Sequence, residues 1–329
     1  MKWIVAGVLL LCVGGFAWFF FEISRPLVLP DEGLTLTVTP GERTADIVDA
    51  LGRKGVIPST AAFKIFLLRM QARETIKAGE YTFRGVVTIP SVARQLVSGS
   101  PKSEKNLRII EGWTQAQIIG YLEKEGIETR ERIEAALARD WSARFPFLTQ
   151  GRPLEGYLFP DTYRVYQDAR VEDVIEKMLA NFDRKVTSQM RSRLADSGMS
   201  LHAAVTLASI VEREVRSDDD RANVADLFNR RLRAKMPLQA DSTVNYATGK
   251  SSPSASAVDL LVDSPYNTYK YHGLPPGPIA NPGLSALKAV VSPKNNPYWY
   301  FLTPKDGSVI YARTFEEQVR NKRKYLRNQ

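Results

Sequence analysis

The sequence predicts an α+β fold: a single apolar N-terminal helix, a small α+β region, and then a mixed α/β domain built on one buried central helix. Three observations lead there. Trp3–Phe21 carries no charged residue. A strand-turn-helix pattern occurs twice between residues 34 and 127. Leu201–Arg216, LHAAVTLASIVEREVR, is apolar or small at nearly every position from Ala203 to Val211, as expected of a helix buried on several sides.

Composition narrows the function classes. The 329 residues, 44% hydrophobic, suffice for more than one domain. The formal net charge of +9 suits an anionic partner such as nucleic acid, lipid headgroups or an acidic polymer. No nucleic-acid-binding motif accompanies the charge, so no nucleic-acid partner is expected. Cys12 is the single cysteine, which rules out an intrachain disulfide. His202 and His272 are the only histidines, so no metal site and no cofactor are expected. Neither histidine sits in a recognisable nucleophile motif.

Residues 1–25 form the first segment. Trp3–Phe21 is about long enough to span a bilayer, with Trp18 and Phe19–Phe21 near one interface. A cleaved signal peptide needs a small-residue site, and the residues around Ala17 offer none. Cys12 lacks the small residue expected before a lipidated cysteine. The reading is an uncleaved transmembrane helix. Lys2 against Glu22 and Arg25 places the N-terminus in the cytoplasm and the bulk outside.

Residues 26–150 carry the duplication. Leu34–Thr39 alternates as a strand, Pro40-Gly41 turns the chain, and Asp46–Lys54 reads as a helix with Ile47, Val48 and Leu51 on one face and Gly55 as its stop. Leu36, Gly41, Ile47, Leu51 and Gly55 return 71 positions on as Leu107, Gly112, Ile118, Leu122 and Gly126. Thr60–Met70 and Pro90–Val97 read as helices, and Ala78–Phe83 as a strand. This grammar resembles LysM modules, which bind N-acetylated glycans; a packing domain without a ligand is the equal alternative.

Residues 151–329 are dense in motifs. LEGYLFPDTY, residues 154–163, sets aromatic rings beside Glu155 and Asp161. That suits stacking on pyranose faces, or a rigid loop closing a core. Val171–Phe182 and Val186–Leu194 are amphipathic helices, and Asp218-Asp219-Asp220 interrupts the chain before a helix over Val224–Arg233. LQADSTVNYATG (238–249) and a polar loop, Ser251–Ser256, follow. SPYNTYKYHGLPPGPIANPG (264–283) is too rich in Pro and Gly for regular structure and must be a shaped loop. A short helix over Ser285–Val290, a hairpin from Tyr298–Leu302 and Val309–Ala312, and a basic helix over Phe315–Leu326 complete the chain.

Within the central helix, Glu212 falls between Leu201, Ala208 and Val205 on a wheel of about 100° per residue. That is the middle of the apolar face; Glu214 points elsewhere. A carboxyl at the end of a buried helix is costly to ionise, which suits a proton donor working near neutral pH. A salt bridge to a buried arginine, or a helix end that has reached solvent, explains the same pattern.

LEGYLFPDTY, ASIVERE, ADSTVNYATG and YNTYKYHGLPPGPIANPG, in this order behind one apolar segment, resemble the endolytic murein transglycosylases (MltG, or YceG-like). The resemblance covers most of the chain and is tightest over 154–303. It implies a bacterial inner-membrane protein with a periplasmic catalytic domain. Such proteins cut nascent peptidoglycan strands internally and terminate their elongation. The expected partners are peptidoglycan glycan strands, the inner membrane and peptidoglycan synthases. The family's catalytic glutamate, in A-S-I-V-E, is here Glu212. It would protonate the oxygen leaving MurNAc C1, then take the proton of the C6 hydroxyl as that group closes a 1,6-anhydro ring. Glu155, Asp241, Asn245, Tyr246, Asn267 and Tyr269 match family motifs and are the expected substrate-binding residues; Asp241 is alternatively a cap for a helix starting at Ser242. The rival readings are a non-catalytic glycan-binding scaffold for a synthase, and a muramidase-type hydrolase pairing Glu212 with Asp241 or Glu155.

Overall fold

The duplicated pattern extends beyond strand, turn and helix: each copy runs strand, helix, helix, strand. The computed structural model describes residues 2–70, 76–99, 104–250, 252 and 254–326. The chain forms two compact units, Met1–Ser103 and Glu104–Gln329. The division falls inside the 26–150 region, so the two copies belong to different cores.

In the first unit, α1 (Lys2–Ser24) and β1 (Leu27–Val28) precede the first copy: β2 (Leu34–Val38), α2 (Thr44–Arg53), α3 (Thr60–Arg69) and β3 (Gly79–Phe83). β4 (Val86–Val87) and α4 (Ile89–Ser98) follow. β2 pairs antiparallel with β3, with Leu36 opposite Tyr81, and β1 pairs with β4. Alternation on β2 sends Leu36 and Val38 inward, where they meet the Ile47, Val48 and Leu51 stripe of α2 together with Phe63, Tyr81 and Phe83. Burying each of these large side chains is worth about 1.5–3 kcal/mol. α4 starts on a reciprocal cap between Thr88 and Ser91.

α1 packs on α3 and α4, with Phe19 buried in this core and Ile23 half-buried against it. Leu10, Val13, Phe16, Trp18, Phe20 and Phe21 remain exposed. Among the described residues no single helix is long and apolar enough to cross a membrane; the described apolar stretch of α1, Val13–Ser24, is too short by itself.

The second unit opens with the second copy: β5 (Glu104–Arg108), α5 (Gln115–Lys124), α6 (Arg130–Leu137) and, after a long insertion, β6 (Thr162–Tyr166), which pairs antiparallel with β5. Gly41 and Gly112 hold the same place after the first strand, with φ +82° and +78°. Leu107, Ile118 and Leu122 are buried as Leu36, Ile47 and Leu51 are. The insertion carries the aromatic motif at 154–160.

The helical part comprises α7 (Val171–Lys185), α8 (Ser188–Asp196), α9 (Leu201–Glu214), α10 (Asp218–Arg233), α11 (Asp241–Thr248) and α12 (Leu284–Val291). It closes with the hairpin β7 (Tyr300–Leu302) and β8 (Ile310–Ala312), then α13 (Phe315–Tyr325). α9 is the central helix: it touches α8, α10, α11 and α12, and Ala204 to Val211 are all buried. One expectation is corrected. Asp218, Asp219 and Asp220 do not interrupt the chain but form the first turn of α10, capped by Ser217. Acidic groups are favourable there because the free N–H groups of a helix start carry partial positive charge. In the expected polar loop Ser251–Ser256, Ser251 and Pro253 lie outside the described residues.

Candidate active site

Ser200 caps α9 by accepting from Ala203 N–H, and the apolar run that follows buries the helix. The helix ends at Glu214, and Val215 continues in extended conformation. Glu212 therefore sits in the last turn, where unpaired carbonyls disfavour a negative charge. Its side chain is only 5% exposed. Such a group needs compensation, and both oxygens receive it. Arg221 of α10 donates to Oε1 at 2.5 Å, and Gly283 N–H donates to Oε2 at 3.0 Å. The salt bridge to a buried arginine is thus realised. Arg221 also reaches Asp218, and its buried Nε has no partner among the described residues.

The main chain of Gly283 bonds this carboxyl, and that of Gly112 lies beside the same side chain. At Gly112 a Cβ would lie 3.6 Å from Glu212 Cγ, and the positive φ there favours glycine. At Gly283 a Cβ would collide with the carboxyl of Glu111. Glu111 is exposed. Partial burial, then the negative charge of Glu212, push its pKa up, against the pull of Arg221.

Asn281 ties these segments together. Its Oδ1 accepts from Gly156 and Leu158 N–H at 2.9 Å, and its Nδ2 donates to Trp113 O and Glu155 Oε1 at 3.0 Å. Its main chain donates to Trp113 O and accepts from Gly112 N–H. One fully buried amide therefore fixes residues 112–113, 155–158 and 281–283 around Glu212. Ser209 of α9 adds a bond from Ile279 N–H.

The expected substrate-binding residues are spread over three clusters. Glu155 is 6% exposed and accepts from Gln115 N–H, Asn281 and, at 3.5 Å, the Tyr246 hydroxyl. Burial raises its pKa to about 7 despite these donors. Asp241 accepts from the Tyr269 hydroxyl at 2.5 Å. It is the first residue of α11 and makes no capping bond; Glu214 does that work, accepting from Ser242 N–H and hydroxyl. The Glu214 carboxyl is desolvated, which raises its pKa. Asn245 bonds to Ser252, and Asn267, fully buried, donates to Leu260 O and Val262 O and accepts from Tyr269 N–H. The two asparagines shape their own loops. His202 bonds to Tyr157, Arg152 and Pro276 O, and His272 to Lys235 O.

Arg221, Gly283, Asn281 and Glu111 escaped the sequence reading. For Glu111 a signal existed: the first copy has Pro40 at the matching position, so the acid is peculiar to the copy that meets Glu212. A separate cavity of about 510 Å³ lies among residues 134–154, with Gln115 at its edge. Glu212 does not line it.

The YceG-like family model matches residues 36–324. A protein of Bacillus subtilis named endolytic murein transglycosylase is 32% identical over 89% of this chain and 85% of its own length. One of the same name from Streptococcus pneumoniae is 29% identical over 95% of this chain, which spans 62% of that relative. A crystal structure of a YceG-like protein from Listeria monocytogenes aligns with TM-score 0.61 and 31% identity, over 88% of this chain and 99% of that one. With a family model covering most of its length and relatives similar across both units, this chain belongs to the YceG-like family.

Proposed function

We propose that the protein is a peptidoglycan lytic endotransglycosylase. It cleaves the MurNAc–GlcNAc bond within nascent glycan strands, leaves 1,6-anhydroMurNAc ends and so terminates elongation. The observation that carries this is the setting of Glu212. A carboxyl in a buried helix end, held by Arg221 and Gly283 N–H, stands in a chain 32% identical to a named endolytic murein transglycosylase. Glu212 gives its proton to the leaving oxygen as the C1–O bond breaks. It takes the proton of the MurNAc C6 hydroxyl as that oxygen bonds to C1. Acid–base transfer contributes about 10²–10⁴ in rate. Positioning of the strand and stabilisation of oxocarbenium-like charge supply the rest.

α1 serves as the inner-membrane anchor, N-terminus in the cytoplasm and residues 26–329 in the periplasm, near the synthases. Its exposed Leu10, Val13, Phe16, Phe20 and Phe21 support this. The β2-α2-α3-β3 order of the first unit supports a LysM-like glycan-holding role.

Mass spectrometry of muropeptides released from glycan strands tests the reaction. Anhydro ends, one water lighter than reducing ends, are expected. Reducing ends would make the protein a muramidase-type hydrolase, and no release would make it a scaffold.

A further inference from the structure

We propose that Glu111 is a second catalytic carboxyl, sharing with Glu212 the single proton that the reaction uses. The inference rests on the transglycosylase reading above and adds a residue to it.

The geometry brings the two acids together across one residue. Gly283 N–H is bonded to Glu212, while the Glu111 carboxyl packs so closely on Gly283 that a Cβ there would overlap it. Gly112, next to Glu111, packs beside the Glu212 side chain. The two carboxyls differ in setting. Both oxygens of Glu212 are occupied and its side chain is closed off from solvent, with a guanidinium on Oε1. Glu111, by contrast, is exposed and open to a glycan strand.

Two carboxyls packed against one glycine disfavour each other's ionisation. Partial burial, then the charge of Glu212, raises the Glu111 pKa against the pull of Arg221, so one proton serves both carboxyls. The charged groups acting on Glu111 are Glu212, Arg221 and Asp218. In the reaction the proton moves from the pair to the leaving GlcNAc oxygen, which departs with the bonding electrons. The MurNAc C6 oxygen then bonds to C1, and its proton returns to the pair. No water or outside acid is consumed, and the anionic member faces the positive charge that develops at C1. The repeat supports the assignment: the fold is satisfied by Pro40 at this position in the first copy, so the turn itself does not require an acid.

The test compares Glu111→Gln, Glu111→Asp and Glu212→Gln in the full chain, solubilised in detergent, on polymeric peptidoglycan strands. Glu111→Gln is expected to lower kcat at least 100-fold, with KM within about threefold and thermal unfolding close to the parent. Glu111→Asp should fall between the two. A Glu111→Gln variant within about threefold of the parent kcat, beside an inactive Glu212→Gln, overturns the shared proton and leaves the transglycosylase reading standing. An active Glu212→Gln overturns both. Should Glu111→Gln fail to fold, Gly283→Ala decides, because it displaces the Glu111 carboxyl without a positive φ. The same loss of kcat is expected there, and parent-like turnover overturns the proposal.

Discussion

Glu212 and Arg221 face each other across the α9–α10 connection, 2.5 Å apart, with side chains 5% and 11% exposed. Little water reaches this pair, so each charge depends on the other. Arg221→Met is expected to cost about 3–5 kcal/mol, since it strands a buried carboxylate. Chemical denaturation of the parent and variant measures the difference; a loss below about 1 kcal/mol would show that water compensates Glu212 instead.

Glu212→Gln should abolish cleavage while preserving the fold, because an amide cannot donate and retake a proton. Gln can still accept from Gly283 N–H, but Arg221 loses its ionic partner. A stability cost of about 1–3 kcal/mol follows. Release of anhydro-muropeptides is the readout. Glu214→Gln makes a poor control, since Glu214 holds the start of α11. Asp219→Asn, on the exposed first turn of α10, is a better one and should keep full activity.

Glu155 introduces a pH dependence. Its folded pKa of about 7 lies above the ordinary 4.5, so the folded state binds the proton more tightly than the unfolded one. Its contribution is fully present below about pH 4.5 and is lost as pH rises through about 7. The total is on the order of 3 kcal/mol. Glu155→Gln, always neutral, should flatten this decline. Denaturation midpoints taken between pH 5 and 8 check it: parallel slopes for parent and variant would place the titration elsewhere.

Gly41→Ala and Gly112→Ala form a pair across the repeat. Both residues have a left-handed backbone, so each substitution should cost about 1–2 kcal/mol. They belong to different units, so calorimetry should show the first lowering the transition of Met1–Ser103 and the second that of Glu104–Gln329. A single transition shifted equally by both would mean that the units unfold as one.

The amino-acid order alone determined the features that depend on local periodicity and turn chemistry. The α9 helix, the duplicated strand-turn-helix with its paired glycines, the C-terminal hairpin and the position of Glu212 on a buried face were all legible there, because spacing of apolar residues and Gly punctuation act over a few residues. What surrounds Glu212 was not. Arg221 comes from the next helix, Gly283 from a loop 71 residues on, and Glu111 and Gly112 from the second repeat. Glu155, Asn245 and Asn267 were expected to contact substrate because they match family motifs. Which groups inside the protein each would bond to was not legible, and a buried polar group must find such partners. Partners that distant are chosen by which surfaces close against α9, and only the folded chain decides that.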